Sequence, residues 1–463
     1  MKIVGKSKSS CLVPIGAFLM VALILGALAV VASNTYMNAQ LDRTLQAIRR
    51  AGHPTTGEEF IAWYGQAKGP NAADVYYRAF AAITLPSSSA RPVLPFVGDA
   101  EYPGGFAPLS PELLAAIREH LTRNSSALDL LHQATAIPEC YFTVLEYTEE
   151  VGSQLLFDID EWTHFRNAIA LLRLEAILAA EDKDAVRCVR SLEASVALTN
   201  ACANRPSASD LLFAGALRGG ALASLNRILN KLGDVPVDFV PLERALTQGD
   251  ASLLMQRALI GDLYAQVSMR CSPWVSDQYE WDFADTSVKE LLEFNPLTAR
   301  VRSLAGLDIS ELIDMLNLQM RLVEISALPY GQRMEGFSAL NAPNAIHTMV
   351  IDTTSRFAMA ENSEKAKIRI LRTALAIDSY QRELKKFPPQ LDDLVPSLLT
   401  SVPIDPFDDN PLKYRLTDSG YLLYSIGPDM KDDGGRGTVP VMEGDVRFLR
   451  ALSPSPDSYP GDS

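Results

Sequence analysis

The sequence predicts a mainly α-helical protein: an N-terminal transmembrane helix, a body of irregular α-hairpins stacked like a solenoid, and a small C-terminal α+β module. Three observations predict this class. An uncharged apolar run follows the first lysines, apolar residues then recur at steps of three and four, and segments of β character appear only after residue 411. A chain of 463 residues that is 48% hydrophobic and 21% charged can bury a sizeable core, which excludes disordered, collagen-like and disulfide-scaffold classes. Its 42 basic and 56 acidic side chains leave a net charge of −14, and Lys2, Lys6 and Lys8 are its one basic cluster, so nucleic acid is not an expected partner.

The first element is the membrane span. Cys11 to Ala32 is an uncharged stretch of 22 residues, about 30 Å as a helix, which matches the hydrocarbon thickness of a bilayer. Val30-Val31-Ala32 offers small residues of the kind a signal peptidase cuts after, but the apolar region of a signal peptide runs only about 7–15 residues. Length favours a retained anchor over residues 11–32. Lysines precede the span and neutral residues follow it, so the positive-inside rule expects residues 1–10 in the cytoplasm and everything after Ser33 outside the cytoplasm. Partners are then the membrane itself and proteins of the cell envelope.

The body, residues 40–360, is expected to be helical throughout. Ser110-Pro111-Glu112 combines an N-cap, a proline at the first helical position and an acid in the first turn. Ser126 with Asp129 has the spacing of a capping box and is expected to open the next helix. Two apolar helices flank the polar turn Glu181-Asp182-Lys183-Asp184, with Val189, Leu192, Val196 and Thr199 on one face of the second, which predicts an αα-hairpin. A third helix follows Pro206, and its Gly215, Gly219 and Gly220 would let a neighbour approach closely. Such hairpins are similar to tetratricopeptide-type solenoid units, without a sustained 34-residue period. Residues 271–300 lose the periodicity and carry Trp274 and Trp281 among several acids, a surface connection. The five cysteines are widely spaced with no CxxC pair; those beyond Cys11 read as core residues rather than disulfides.

After Tyr380 the pattern changes. Phe387-Pro388, a short helix over Leu391 to Leu394, and Pro403-Ile404-Asp405-Pro406-Phe407 precede two β-segments, Leu412–Leu416 and Tyr421–Ser425, which flank the hairpin turn Thr417-Asp418-Ser419-Gly420. In order and spacing, Phe387, Pro388, Leu391, Leu394, Pro403, Asp405, Pro406, Phe407, Pro411, Tyr414, Tyr424, Ser425, Gly427 and Asp429 resemble the globular domain of type II secretion major pseudopilins. The resemblance implies a small sheet held against a long helix over residues 364–450, and a loop that binds Ca²⁺ through Asp429 with one or both of Asp432 and Asp433. Residues 387–463 hold 13 acids and six bases, so hard oxygen donors are abundant there. The leader and the Gly-Phe-Thr-Leu-x-Glu start of pseudopilins do not occur, so the chain reads as a large anchored protein carrying such an end and not as a pilus subunit. Residues 451–463, rich in Ser and Pro, are expected to be disordered.

No catalytic residues are assigned. HExxH, GxSxG, P-loop, GxGxxG and Ser-x-x-Lys patterns are all missing, and the one Glu-x-x-His pair, Glu161 with His164, lacks the second pair a di-iron bundle requires. The expected function is therefore a non-enzymatic, single-pass envelope protein with an exported helical scaffold for protein contacts. Two alternatives stand beside it: an envelope hydrolase using Glu161, His164 or the Trp274–Trp281 loop, and a component of a secretion apparatus.

Overall fold

The computed structural model describes residues 12–102, 108–143, 160–222, 224–250, 254–271, 307–418, 420–436 and 445–451. Of the described residues 66% are helical, in 14 α-helices, and a three-stranded sheet accompanies them. It divides into two compact units, one along Met1–Trp63, Thr148–Gly152 and Leu263–Arg321, the other along Tyr64–Tyr147, Ser153–Asp262 and Leu322–Ser463.

In the first unit, helix α1 (Leu12–Arg50) is a single rod of 39 residues. It is long and apolar enough to cross a membrane, and its most apolar stretch is not buried among the described residues. Past the apolar run the same helix turns amphipathic. Ile48 is fully buried with Leu263 and Val267 of α11 (Leu254–Cys271) and with Leu312 and Leu316 of α12 (Leu307–Ser326), while Leu41 and Leu45 pack beside them. The helix stops because Gly52, at φ +83°, takes the left-handed conformation that glycine enters without strain. The amides of Gly52 and His53 then close on the carbonyls of Arg49 and Ile48, satisfying the helix end. Helix α2 (Gly57–Tyr64) is capped reciprocally: Glu59 accepts from Thr55 and Thr56 amides and donates its own amide to the Thr56 hydroxyl.

In the second unit, α3 (Ala72–Ala82), α4 (Pro111–Arg123) and α5 (Ser125–Thr135) precede the expected hairpin of α6 (Asp160–Glu181) and α7 (Ala185–Ala203). Ser110 caps α4 through the Leu113 amide as the sequence indicates, and Asp184 caps α7 through the Arg187 amide. Ser126 opens no helix. The residue before α5 is Asn124, whose side chain is drawn away to the backbone of Thr84, so α5 starts without a side-chain cap. The third apolar segment is broken in two, α8 (Ala208–Leu222) and α9 (Leu225–Leu232), followed by α10 (Val240–Gly249). The glycines of α8 do admit a neighbour: a Cβ on Gly215 would lie 2.8 Å from the side chain of Glu364.

That neighbour belongs to α14 (Ala345–Leu384), a 40-residue helix capped by Asn344 and preceded by α13 (Tyr330–Ser338). It crosses the expected boundary at 360–364 without a break. Its basic side chains tie it to α10 and the turns beside it: Arg369 binds Asp250 at 3.0 Å, Arg372 binds Glu243 at 3.1 Å, and Arg382 donates to the carbonyls of Gly233 and Val235. Beyond α14 come a 3₁₀ turn at Leu391–Leu394 and the antiparallel strands β1 (Lys413–Thr417), β2 (Gly420–Ser425) and β3 (Val446–Ala451), in the order β1-β2-β3. The hairpin falls where the sequence places it, closing on the Thr417–Gly420 pair, whereas β3 was not foreseen. Tyr421 and Leu423 of β2 and Val446 of β3 turn one face of the sheet onto Ala366, Ile370, Ala374 and Ile377 of α14, with Leu391, Leu394 and Phe407 filling the edge. A sheet this small has little core of its own, so the long helix is what it folds upon.

Candidate functional site

The pattern residues of the C-terminal module prove to be fasteners. Asp405 is fully buried, and its carboxylate accepts from the amides of Phe407 (3.0 Å) and Ile426 (2.8 Å) and from the Ser425 hydroxyl (2.8 Å). It thereby pins the 403–407 turn to the end of β2; burial pushes its carboxyl pKa up while these donors pull it back. Tyr414 donates to the carbonyl of Pro388 at 2.8 Å, and Tyr330 of α13 donates to the carbonyl of Pro428 at 2.9 Å while its ring meets Phe407 edge-on. Ser425 thus helps hold the 403–407 turn to the end of β2, and Tyr414 ties β1 to Pro388.

That turn, residues 426–436, carries the three expected metal ligands. Gly427, Met430, Gly434 and Gly435 all have positive φ, which coils the backbone tightly. Only glycine fits at 435, where φ is +81° and a Cβ would lie 2.4 Å from Leu422. Asp429 accepts from the Lys431 amide at 3.2 Å, Asp432 from the Gly434 amide at 3.0 Å and the Tyr424 hydroxyl at 3.1 Å, and Asp433 is exposed. The three are close in sequence, yet the turn does not gather them: among the described residues no three carboxylate, imidazole or thiol groups are placed to hold a metal ion together.

A fourth acid completes the picture. Asp445, immediately before β3, is 5% exposed and receives the Gly435 amide at 2.6 Å and the Asp433 amide at 3.4 Å. Burial raises its pKa, its two backbone donors lower it, and the charges of Asp432 and Asp433 raise it again. The same concentration of negative charge, together with burial, pushes the Tyr424 phenol up to about 12. A buried carboxylate thus neighbours two exposed ones here, without the three converging on a common centre. The sequence signal for Asp445 lay in the strand it precedes, Val446-Arg447-Phe448, where apolar and basic residues alternate.

Of the groups named for a hydrolytic alternative, Glu161 and His164 lie among the described residues, and each has another partner. Glu161 is engaged by the fully buried Arg205 at 2.8 Å, Trp162 donates to Asp210 at 2.8 Å, and His164 stacks on Phe80 with ring centres 5.8 Å apart. Trp274 and Trp281 lie outside the described residues. Sequence reasoning also passed over a buried network joining α5, α6 and α7. Glu175 accepts from Ser191 (2.9 Å) and Arg187 (3.0 Å), and lies 2.7 Å from His132 Nε2. Burial opposes its charge, but these partners prevail and its pKa is lowered. In this arrangement Ser191 and His132 both address the carboxylate and not each other, which is the geometry of a structural tie and not of an activated nucleophile. Of the cysteines, Cys140, Cys188 and Cys202 carry free thiols, and Cys188 and Cys202 are buried, as core residues would be. Set against known proteins, the chain matches no family model, no curated protein and no solved structure.

Proposed function

We propose that this is a single-pass protein of the cell envelope, tethered by α1, whose helices after Ser33 form an exported scaffold for protein contacts and whose C-terminal module is pseudopilin-like and stabilised by calcium. The observation that carries the tether is the two-part character of α1. Over its apolar stretch no described residue buries the helix, and at Ile48 the same unbroken helix is fully buried in its own unit. Apolar side chains left bare over a membrane's width are costly in water, at about 25 cal/mol per Å², and need a bilayer around them. Extraction of membranes at alkaline pH tests this: the full chain is expected to stay in the pellet and a chain beginning at Ser33 to be released. Release of the full chain would remove the anchor.

Support for calcium comes from the turn around Asp445. A buried carboxylate beside two more acids is relieved when a cation binds nearby; by the resemblance Asp429 with one or both of Asp432 and Asp433 would hold the ion, and the turn would have to tighten to bring them together. Bound there, calcium would join the turn after β2 to the start of β3. Its role would be structural.

A further inference from the structure

The C-terminal sheet has a bare edge. In the order β1-β2-β3, β2 is paired on both sides and β1 on one. The hairpin closes on Thr417 and Gly420 with a two-residue turn, so those two exchange their backbone bonds, and so do Arg415 and Lys413 with the residues opposite them. The residues between, Tyr414 and Leu416, turn their N–H and C=O groups away from β2. Among the described residues no backbone hydrogen bond from outside the sheet reaches either of them.

The side chains along this edge are of two kinds. Tyr414 and Leu416 stand opposite Leu423 and Tyr421, on the face that packs against α14. Tyr414 is packed there, with its hydroxyl on Pro388, but Leu416 is 50% exposed although it lies on the core side of the sheet. Lys413 and Arg415 lie on the other face. Lys413 is only 3.9 Å from Asp408, and no carboxylate pairs with the exposed Arg415 among the described residues. These are two of the six basic residues in the acidic stretch 387–463, so β1 is a positive line in a negative module.

Basic side chains on an edge strand guard it against pairing, but the guard is selective. A second copy of β1 laid antiparallel and centred on Arg415 would set the two Arg415 side chains against each other, and centred on Tyr414 it would set Lys413 against Arg415. Like charges directly opposite destabilise a pair of strands. Centred on Leu416, the copy runs into the turn. A strand that carries acids opposite Lys413 and Arg415 meets attraction instead, and apolar side chains opposite Tyr414 and Leu416 would extend the apolar face over the bare Leu416. We propose that the free edge of β1 takes up, as an added strand, an extended protein segment that alternates acidic and apolar side chains. Main-chain bonds to Tyr414 and Leu416 supply affinity in this mode and the alternating side chains supply selectivity. The site lies on the sheet and not on the helical scaffold, and it depends on neither the tether nor calcium.

The test uses the full chain in neutral detergent and the fluorescence anisotropy of a short labelled peptide that alternates glutamate with valine. Two further peptides carry lysine in place of glutamate, or proline in place of valine. The glutamate–valine peptide is expected to bind saturably and the lysine peptide at least about tenfold more weakly. The proline peptide keeps the charge but lacks the amide donors that would face Tyr414 and Leu416, and is expected not to bind. Arg415→Glu alters only an exposed side chain; it is expected to weaken the acidic peptide at least about tenfold and to strengthen the lysine peptide, with the unfolding midpoint of the protein unchanged. Leu416→Pro removes an amide that faces away from β2, so it should keep the sheet and abolish binding. Absence of saturable binding by the glutamate–valine peptide, equal binding of the control peptides, or undiminished binding to Arg415→Glu would overturn the proposal. Self-association of the parent that Leu416→Pro abolishes would also overturn it, by naming a second copy as the occupant.

Discussion

Asp445 is buried beside two further acids, and that makes it the residue on which the calcium reading turns. Its two amide donors offset part of the desolvation, but Asp432 and Asp433 work against its charge. Full-chain calorimetry in calcium and in chelator is expected to show a higher unfolding midpoint with the metal, worth about 2.7 kcal/mol at a hundredfold excess over Kd. Asp445→Asn is expected to erase that difference, and a parent midpoint indifferent to calcium would remove the metal altogether. Asp405 was legible in the sequence as part of a spaced pattern, but its work is different: three donors close on its carboxylate and leave it a fastener. Asp445 was not legible. Sixteen positions separate it from Asp429, and it shows itself only once β3 brings the chain back beside β2. Proximity in sequence picked out Asp429, Asp432 and Asp433; proximity in space picked out Asp445.

At the level of elements, local signals succeeded where the cap residue was free to act and failed where tertiary packing took it away. Ser110 caps α4 and Asp184, in the polar turn of the α6–α7 hairpin, caps α7. Ser126 failed because Asn124, nearer the break, binds Thr84 instead of the helix. The start of α8 shows a tertiary cap of another kind. Gly261 of α11 lies so close to the Pro206 carbonyl that a Cβ would fall 1.7 Å from it, and this approach brings Asp262 to the first turn of α8, where its carboxylate accepts from the Ala208 amide at 3.3 Å. Burial pushes Asp262 up to about 7, with the Ala208 amide lowering it and Asp210, itself paired with the buried Arg205, raising it. A carboxyl whose pKa is higher folded than unfolded holds its proton in the folded state, so stability is greatest at low pH for this group. It is lost as pH rises from the ordinary aspartate range through about 7. Urea unfolding between pH 5 and 8 is expected to show stability falling at no more than about 1.4 kcal/mol per pH unit from this group, and Asp262→Asn to flatten that fall. A slope unchanged in the variant would show that Asp262 is not its source.

For the molecule as a whole, the helical class, the apolar first helix and the C-terminal hairpin were all readable from periodicity, because each repeats a local rule over many residues. What was not readable depends on distant residues meeting: the Glu175 network of three helices and the third strand. The helix α1 joins the two kinds of knowledge. Its apolar half follows from composition, and its buried end at Ile48, closed by Gly52, shows that the helix leaving the span enters a packed unit directly with no flexible linker between. In the proposed topology the lysines before the span keep residues 1–10 in the cytoplasm. Protease digestion of intact spheroplasts expressing the chain with one tag before Met1 and another after Ser463 measures that topology. The account expects the first tag to survive and the second to be destroyed; survival of both, with the second lost only after the membrane is breached, would contradict it.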